Sequence, residues 1–139
     1  MCLRGVFECE KPSHTGMTDR ELTEKVIGCA IEVHRVLGPG LLESTYQHCL
    51  AHELSANQIL FKSEVGLPVN YKGGKLDCGY RLDLLVDETL IVELKAVDQI
   101  TGLHQAQLMT YLKLAKIEVG LLINFNVTCL VDGVCRIRV

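Results

Sequence analysis

The apolar residues of this chain change their period near residue 58. Before that point they recur every three or four positions; after it they form short, nearly continuous runs bounded by Gly, Pro and Asp. Side chains recur about every 3.6 residues on a helix and alternate between faces on a strand. The first part therefore folds as helices, and the rest supplies a sheet. Leu22, Val26, Cys29, Ala30, Val33, Val36 and Leu37 keep one helical face from Asp19 to Leu37. Thr18 and Glu21 have capping-box spacing at the start of that helix, and Gly38-Pro39-Gly40 ends it. A second helix is expected from about Leu42 to Asn57, with Leu42, Tyr46, Cys49, Leu50 and Leu54 on one stripe.

Extended runs follow. Leu60 to Tyr71 reads as one strand with a break near Gly66 or Pro68, Lys72-Gly73-Gly74-Lys75 as a hairpin turn, and Leu76 to Val86 as a second strand. Asp87-Glu88-Thr89 turns the chain into Leu90 to Val97. A third helix over Thr101 to Ala115 leads to a strand over Glu118 to Phe125, and Val134 to Val139 forms a short last one. The strand–helix–strand unit from Leu90 to Asn124 predicts a parallel pair, and the hairpins before it antiparallel ones. The fold class is α/β, a mixed sheet flanked by helices.

At 139 residues the chain is expected to form one domain. Residues 1–16 are polar and aperiodic and read as a disordered tail, leaving 17–139 as the folded unit. No apolar run approaches the roughly 18 residues of a membrane span, and the first residues lack the apolar centre of a secretory signal. The seven cysteines are odd in number and contain no CxxC pair. That argues against zinc-ribbon and thioredoxin-like readings and for a reducing, cytoplasmic setting. Net charge is −3, so bulk attraction to nucleic acid or anionic lipid is not expected. Aromatics are 5% with no Trp, which disfavours a base-stacking platform.

The informative residues are charges inside apolar runs. Glu93 and Lys95 interrupt Leu90-Ile91-Val92-Glu93-Leu94-Lys95-Ala96-Val97, and Asp83 interrupts Arg81-Leu82-Asp83-Leu84-Leu85-Val86. Glu93 and Lys95 share a face, roughly 6–7 Å apart along the strand. A three-residue loop at 87–89 sets Asp83 opposite Glu93; a two-residue loop sets it opposite Val92, on the other face. Two carboxylates facing each other repel unless a cation joins them. Carboxylates suit hard cations such as Mg²⁺, and an ammonium nearby can stabilise an attacking hydroxide or a developing anion. An internal salt bridge from Lys95 to the two acids is the plainer alternative.

Glu43 falls on the apolar stripe of the second helix, in its first turn, where it is either a further site acid or a partner of the helix dipole. Glu53 lies in the same stripe and reads as structural. His104, Gln107 and Tyr111 can share one face of the third helix. A Gln there can orient a lysine, a water or a phosphate oxygen. His104 and His34 carry less weight, since a lone His is commonly structural.

These residues together resemble a known family. Gly40-Leu-Leu-Glu43-Ser-Thr-Tyr46 matches the signature of the GxxExxY proteins. RLDLLV with IVELKAV resembles the metal-binding core of the PD-(D/E)XK nuclease superfamily, and Gln107 to Tyr111 the Q-x-x-x-Y motif of its RecB-like branch. The similarity spans about Thr18 to Asn126; the motif's Pro-Asp is Leu82-Asp83 here. The resemblance implies a restriction-endonuclease-like αβββαβ core and a nuclease using Mg²⁺ or Mn²⁺. Asp83 and Glu93 would be metal ligands, with Glu43 completing the acidic cluster. Lys95 would assist the hydrolytic water, and Gln107 would orient Lys95 or the phosphate; Tyr111, His104, Tyr46 and His34 are further candidates. The implied partner is nucleic acid, DNA in the first place, with no membrane, and a homodimer is expected of a small enzyme that cuts two strands. Some superfamily members have lost cleavage. The alternative is therefore an inactive nucleic-acid-binding or protein-interaction module, for which Lys62, Lys72, Lys75 and Arg81 offer a basic patch.

Overall fold

A computed structural model of the chain describes Cys2–Leu3 and residues 17–139. The expected tail over 1–16 lies outside the described residues except for Cys2–Leu3, which form strand β1. Helix α1 spans Asp19–Leu37 and α2 spans Glu43–Ala56. Strands β2 (Phe61–Gly66), β3 (Val69–Tyr71), β4 (Gly74–Leu76), β5 (Arg81–Val86) and β6 (Leu90–Lys95) follow. Helix α3 (Gly102–Ala115), β7 (Val119–Asn124), a 3-10 turn at Leu130–Gly133 and β8 (Val134–Arg138) complete the order.

The six-stranded sheet runs β1-β8-β7-β6-β5-β2. The β6/β7 pair is parallel and carries α3 as its crossover, while β5/β6, β2/β5 and β7/β8 are antiparallel. This is the expected mixed α/β architecture. No described helix is long and apolar enough to cross a membrane.

Two expected strands are each divided. Leu60–Tyr71 becomes β2 and β3, and Leu76–Val86 becomes β4 (begun at Gly74) and β5. The outgoing chain leaves the sheet at Pro68, which has no N–H to continue the ladder. The last bond there runs from Leu67 N–H to Tyr80 C=O, 3.0 Å. On the return, Asp77 Oδ1 accepts the Gly79 N–H at 3.0 Å, and Gly79 takes φ 80°, which favours glycine. The segment between is a separate two-stranded hairpin, β3–β4.

The capping box forms as expected: Thr18 Oγ1 accepts the Glu21 N–H at 3.2 Å, and Glu21 accepts the Thr18 N–H at 3.1 Å. Leu22, Val26, Ala30 and Val33 of α1 and Tyr46, Leu50 and Leu54 of α2 pack on one sheet face with Leu84, Val86, Val92, Leu121 and Phe125. Helix α3 covers the other face through Leu108, Tyr111 and Leu112, over Leu85, Ile91 and Leu122. A Cβ at Gly120 would stand 3.0 Å from Leu108, so glycine there lets α3 approach the sheet closely.

Candidate active site

The turn between β5 and β6 sets the site's register. Asp87 and Glu88 both take left-handed backbone (φ 51° and 58°), and the Thr89 N–H donates to Val86 C=O at 3.1 Å. Val86 then pairs with Leu90, Leu85 with Ile91 and Leu84 with Val92. The next position puts Asp83 across from Glu93, the odd-loop arrangement. The regular ladder stops there. Instead of meeting a carbonyl, the Asp83 N–H donates to Glu93 Oε1 at 3.0 Å, and the Leu94 N–H donates to Asp83 Oδ2 at 2.9 Å. Each carboxylate is seated by the other's strand, and neither second oxygen has a hydrogen-bond partner among the described residues.

Glu93 is 7% exposed and Asp83 half-buried. Burial pushes the Glu93 carboxyl up to about 8, and the charge on Asp83 adds to the rise. Asp83 is also raised, by burial first; the Leu94 N–H opposes this, while Glu64 and Glu43 reinforce it. Buried carboxylates side by side resist double ionisation, so the pair retains a proton near neutral pH.

Lys95 ends β6, half-buried, and its charge favours ionisation of both acids. It makes no direct ion pair with any described residue, so the internal salt bridge is not formed. Its own backbone is fixed: Lys95 C=O accepts the Phe125 N–H at 2.9 Å. Glu43 opens α2, and its Oε1 accepts the Ala96 N–H at 3.2 Å, next to Lys95. Tyr46 holds that helix start in place. Its hydroxyl donates to Gly38 C=O at 2.6 Å and accepts the Leu41 N–H at 3.2 Å. Its ring stacks on Phe125 with centroids 4.4 Å apart.

On α3, Gln107 Nε2 donates to the Tyr111 hydroxyl at 2.9 Å. The Tyr111 phenol is raised by burial and then by the charge on Glu93, so this pair faces the acids. Gln107 is bonded to Tyr111 and, among the described residues, makes no hydrogen bond to Lys95. The two candidate histidines bond elsewhere. His104 Nδ1 accepts the Thr101 N–H at 3.0 Å, reciprocating the Thr101 cap of α3. His34 Nε2 bonds Val127 C=O at 2.7 Å.

Three residues escaped the sequence reading. Glu64 stands opposite Asp83 on β2, between the registered pairs Ser63–Leu84 and Val65–Leu82, with φ 53°. Glu64, Asp83 and Glu93 thus form a row across three neighbouring strands. Gln47, four residues after Glu43 on α2, donates Nε2 to Glu64 Oε1 at 2.8 Å and to Asp83 C=O at 3.3 Å. Its i, i+4 spacing from Glu43 was the available signal. Asn124 is buried in an apolar strand; it accepts the Val97 N–H at 3.1 Å and donates to Val97 C=O at 2.8 Å, closing the loop after Lys95.

Among the described residues, no three His, Cys, Asp or Glu side chains form a ready-made metal cage. Glu43 and Glu64 are directed to Ala96 and Gln47. Asp83 and Glu93, with their unpartnered oxygens, fit a hard cation that keeps most of its water, as Mg²⁺ does.

No curated protein and no solved structure matches the chain. A family model described as the PD-(D/E)XK nuclease superfamily matches residues 20–137. That match takes in β5 to β7, α2, α3, all of α1 but its first residue and every charged residue of the β5–β6 end, and by it the chain belongs to the PD-(D/E)XK nuclease superfamily.

Proposed function

We propose that the chain is a divalent-metal-dependent nuclease of the GxxExxY group that hydrolyses phosphodiester bonds, in DNA first. The observation that carries this reading is the end of β5 and β6. A buried and a half-buried carboxylate stand side by side there, and Lys95, two residues from Glu93, makes no ion pair with any described residue. Asp83 and Glu93 would hold Mg²⁺ or Mn²⁺, whose charge would neutralise the pair and polarise the phosphate.

The chain's own groups have separate tasks. Lys95 donates hydrogen bonds to the attacking hydroxide or to the phosphate oxygen that gains charge. The Gln107–Tyr111 pair offers donors to a phosphate brought against Glu93. Glu43 and Asn124 fix the backbone on either side of Lys95, through Ala96 and Val97. Glu43 would join the acidic cluster if its side chain left the Ala96 N–H.

The test is incubation of the purified protein with single-stranded, branched and duplex DNA, and with RNA, in Mg²⁺ or Mn²⁺. Cleavage should require the metal and be lost in Asp83→Ala and Lys95→Ala. Variants that cut as well as the parent would remove these residues from the site. A binding or interaction module without turnover is the second reading, and the lack of a three-acid cage among the described residues favours it. It predicts no heat of Mg²⁺ or Mn²⁺ binding by calorimetry. A two-strand-cutting enzyme is expected as a homodimer, which light scattering measures directly.

A further inference from the structure

The β3–β4 hairpin stands outside the main sheet, at the edge next to the candidate site. Its root joins the sheet at Gly66 and Arg81, two residues before Asp83 on β5. Leu67, at that root, is buried with Tyr111, and the Tyr80 ring packs on the Tyr111 ring at 5.8 Å. The arm is therefore anchored to the α3 residue that faces Glu93.

Beyond the root the arm is basic and exposed. Lys72 and Lys75 flank its tip, and Asp77 is the only acid between Val65 and Arg81, in a chain of net charge −3. Asp77 lies 3.8 Å from Arg81, so it leaves the two lysines alone. Lys62, also basic, is occupied by Glu88 at 2.6 Å and belongs to the sheet edge. Tyr71 is 59% exposed and Leu76 48%. Lys72 Nζ sits 5.4 Å from the Tyr71 ring centre.

The turn itself argues for a role. Lys72 and Gly73 take φ 47° and 81°, a geometry that Asn or Gly adopts at little cost. A lysine held in left-handed backbone at an exposed tip is an uncommon choice. An isolated two-stranded hairpin is also marginal in water, and this one keeps Tyr71 exposed.

We infer that the β3–β4 arm is a nucleic-acid grip: Lys72 and Lys75 hold the phosphate backbone beside the Asp83–Glu93 site, and Tyr71 stacks on an unpaired base. The occupant follows from the charge of the arm and its place beside the site. This inference rests on the nuclease reading and gives it a substrate-holding surface.

Fluorescence anisotropy with labelled single-stranded and duplex DNA, in EDTA and across a salt series, tests it. Lys72→Gln/Lys75→Gln should reduce the salt slope by about 1.4 on single strands and about 1.8 on duplex. That change weakens single-strand binding roughly 20-fold at 0.1 M salt. Tyr71→Ala should cost roughly tenfold on single strands and little on duplex. Lys62→Gln, a similar charge loss off the arm, should change neither slope. All four substituted positions are exposed, so melting temperatures should match the parent's, and a match shows that the arm variants are folded.

Unchanged slopes in the double variant, with a parent that binds, overturn the grip and leave the nuclease reading intact. A double variant that loses dimer mass by light scattering and keeps its DNA affinity overturns it too, making the arm a contact between copies. Lys95→Ala should fail to cut, and adding Lys72→Gln/Lys75→Gln to it should lower its salt slope by the same amount as in the parent. A parent that neither binds nor cuts nucleic acid overturns both.

Discussion

The two ends of the β5–β6 pair differ sharply. At the turn end, three successive pairs are apolar and buried: Val86–Leu90, Leu85–Ile91 and Leu84–Val92. Each such side chain contributes about 1.5–3 kcal/mol by leaving water. One step further, Asp83 and Glu93 face each other, and their carboxylates take the place of backbone carbonyls in the ladder. That end carries repulsion and desolvation, and the turn end offsets it. Stability and the proposed chemistry are thus divided along a single strand pair. The carboxylates are kept in place by the register of apolar residues outside the proposed site.

Substitutions at the charged end should separate activity from stability most strongly. Lys95→Ala or Asp83→Asn should lower metal-dependent cleavage by about 10³-fold or more, roughly 4 kcal/mol in barrier, with no loss of melting temperature. A large drop in melting temperature would instead make these residues props of the fold.

Next in size is the turn end. Leu84→Ala should cost about 3 kcal/mol in urea denaturation, because Leu84 is fully buried between the sheet and the helices. A cost below about 1 kcal/mol would show that this end does not carry the load.

The titration of Glu93 gives a third contrast. The folded chain keeps this proton up to about pH 8, whereas the unfolded chain releases it near the ordinary value of about 4.3. Between those values the folded state binds more protons than the unfolded state, so stability falls as pH rises. Without metal, the loss between pH 5 and pH 8 should be on the order of 3 kcal/mol. Glu93→Gln should remove most of that slope, and Mg²⁺ should restore stability to the parent at pH 8. A flat profile in the parent would mean that the pair is well solvated.

The smallest effect is expected at Gln47. Gln47→Ala removes the bonds to Glu64 and to Asp83 C=O and should cost about 1 kcal/mol. Its effect on cleavage should exceed that if the bond to Asp83 positions the carboxylate.

Much of the fold was legible because it rests on local pattern. Thr18 and Glu21 marked the start of α1, and the shift from helical to strand period marked where the sheet begins. The opposition of Asp83 and Glu93 followed once the loop at 87–89 was counted as three residues. The division of Leu60–Tyr71 and Leu76–Val86 was less visible. Pro68 was a signal, but the bend at Gly79 depends on a side-chain bond from Asp77 that no periodicity records. Glu64 stayed hidden for the same reason. Its place opposite Asp83 requires knowing that β2, rather than the β3 segment, pairs with β5.

The roles of the aromatic and imidazole candidates were also beyond the sequence. Tyr46, His34 and His104 are residue types that serve in catalysis and in packing alike. Only their partners separate the two: Phe125 and Gly38 for Tyr46, Val127 for His34, and Thr101 for His104.

By itself the sequence determined the helices, the strands, the parallel unit around α3 and the presence of charges where an apolar core was due. These depend on each residue's polarity and its spacing from near neighbours. The tertiary structure decided which charges meet, that Lys95 makes no ion pair with any described residue, and that Glu64 and Gln47 join the acids. Those facts depend on contacts between segments distant in the chain, where a shift of one residue in pairing moves a side chain to the opposite face of the sheet.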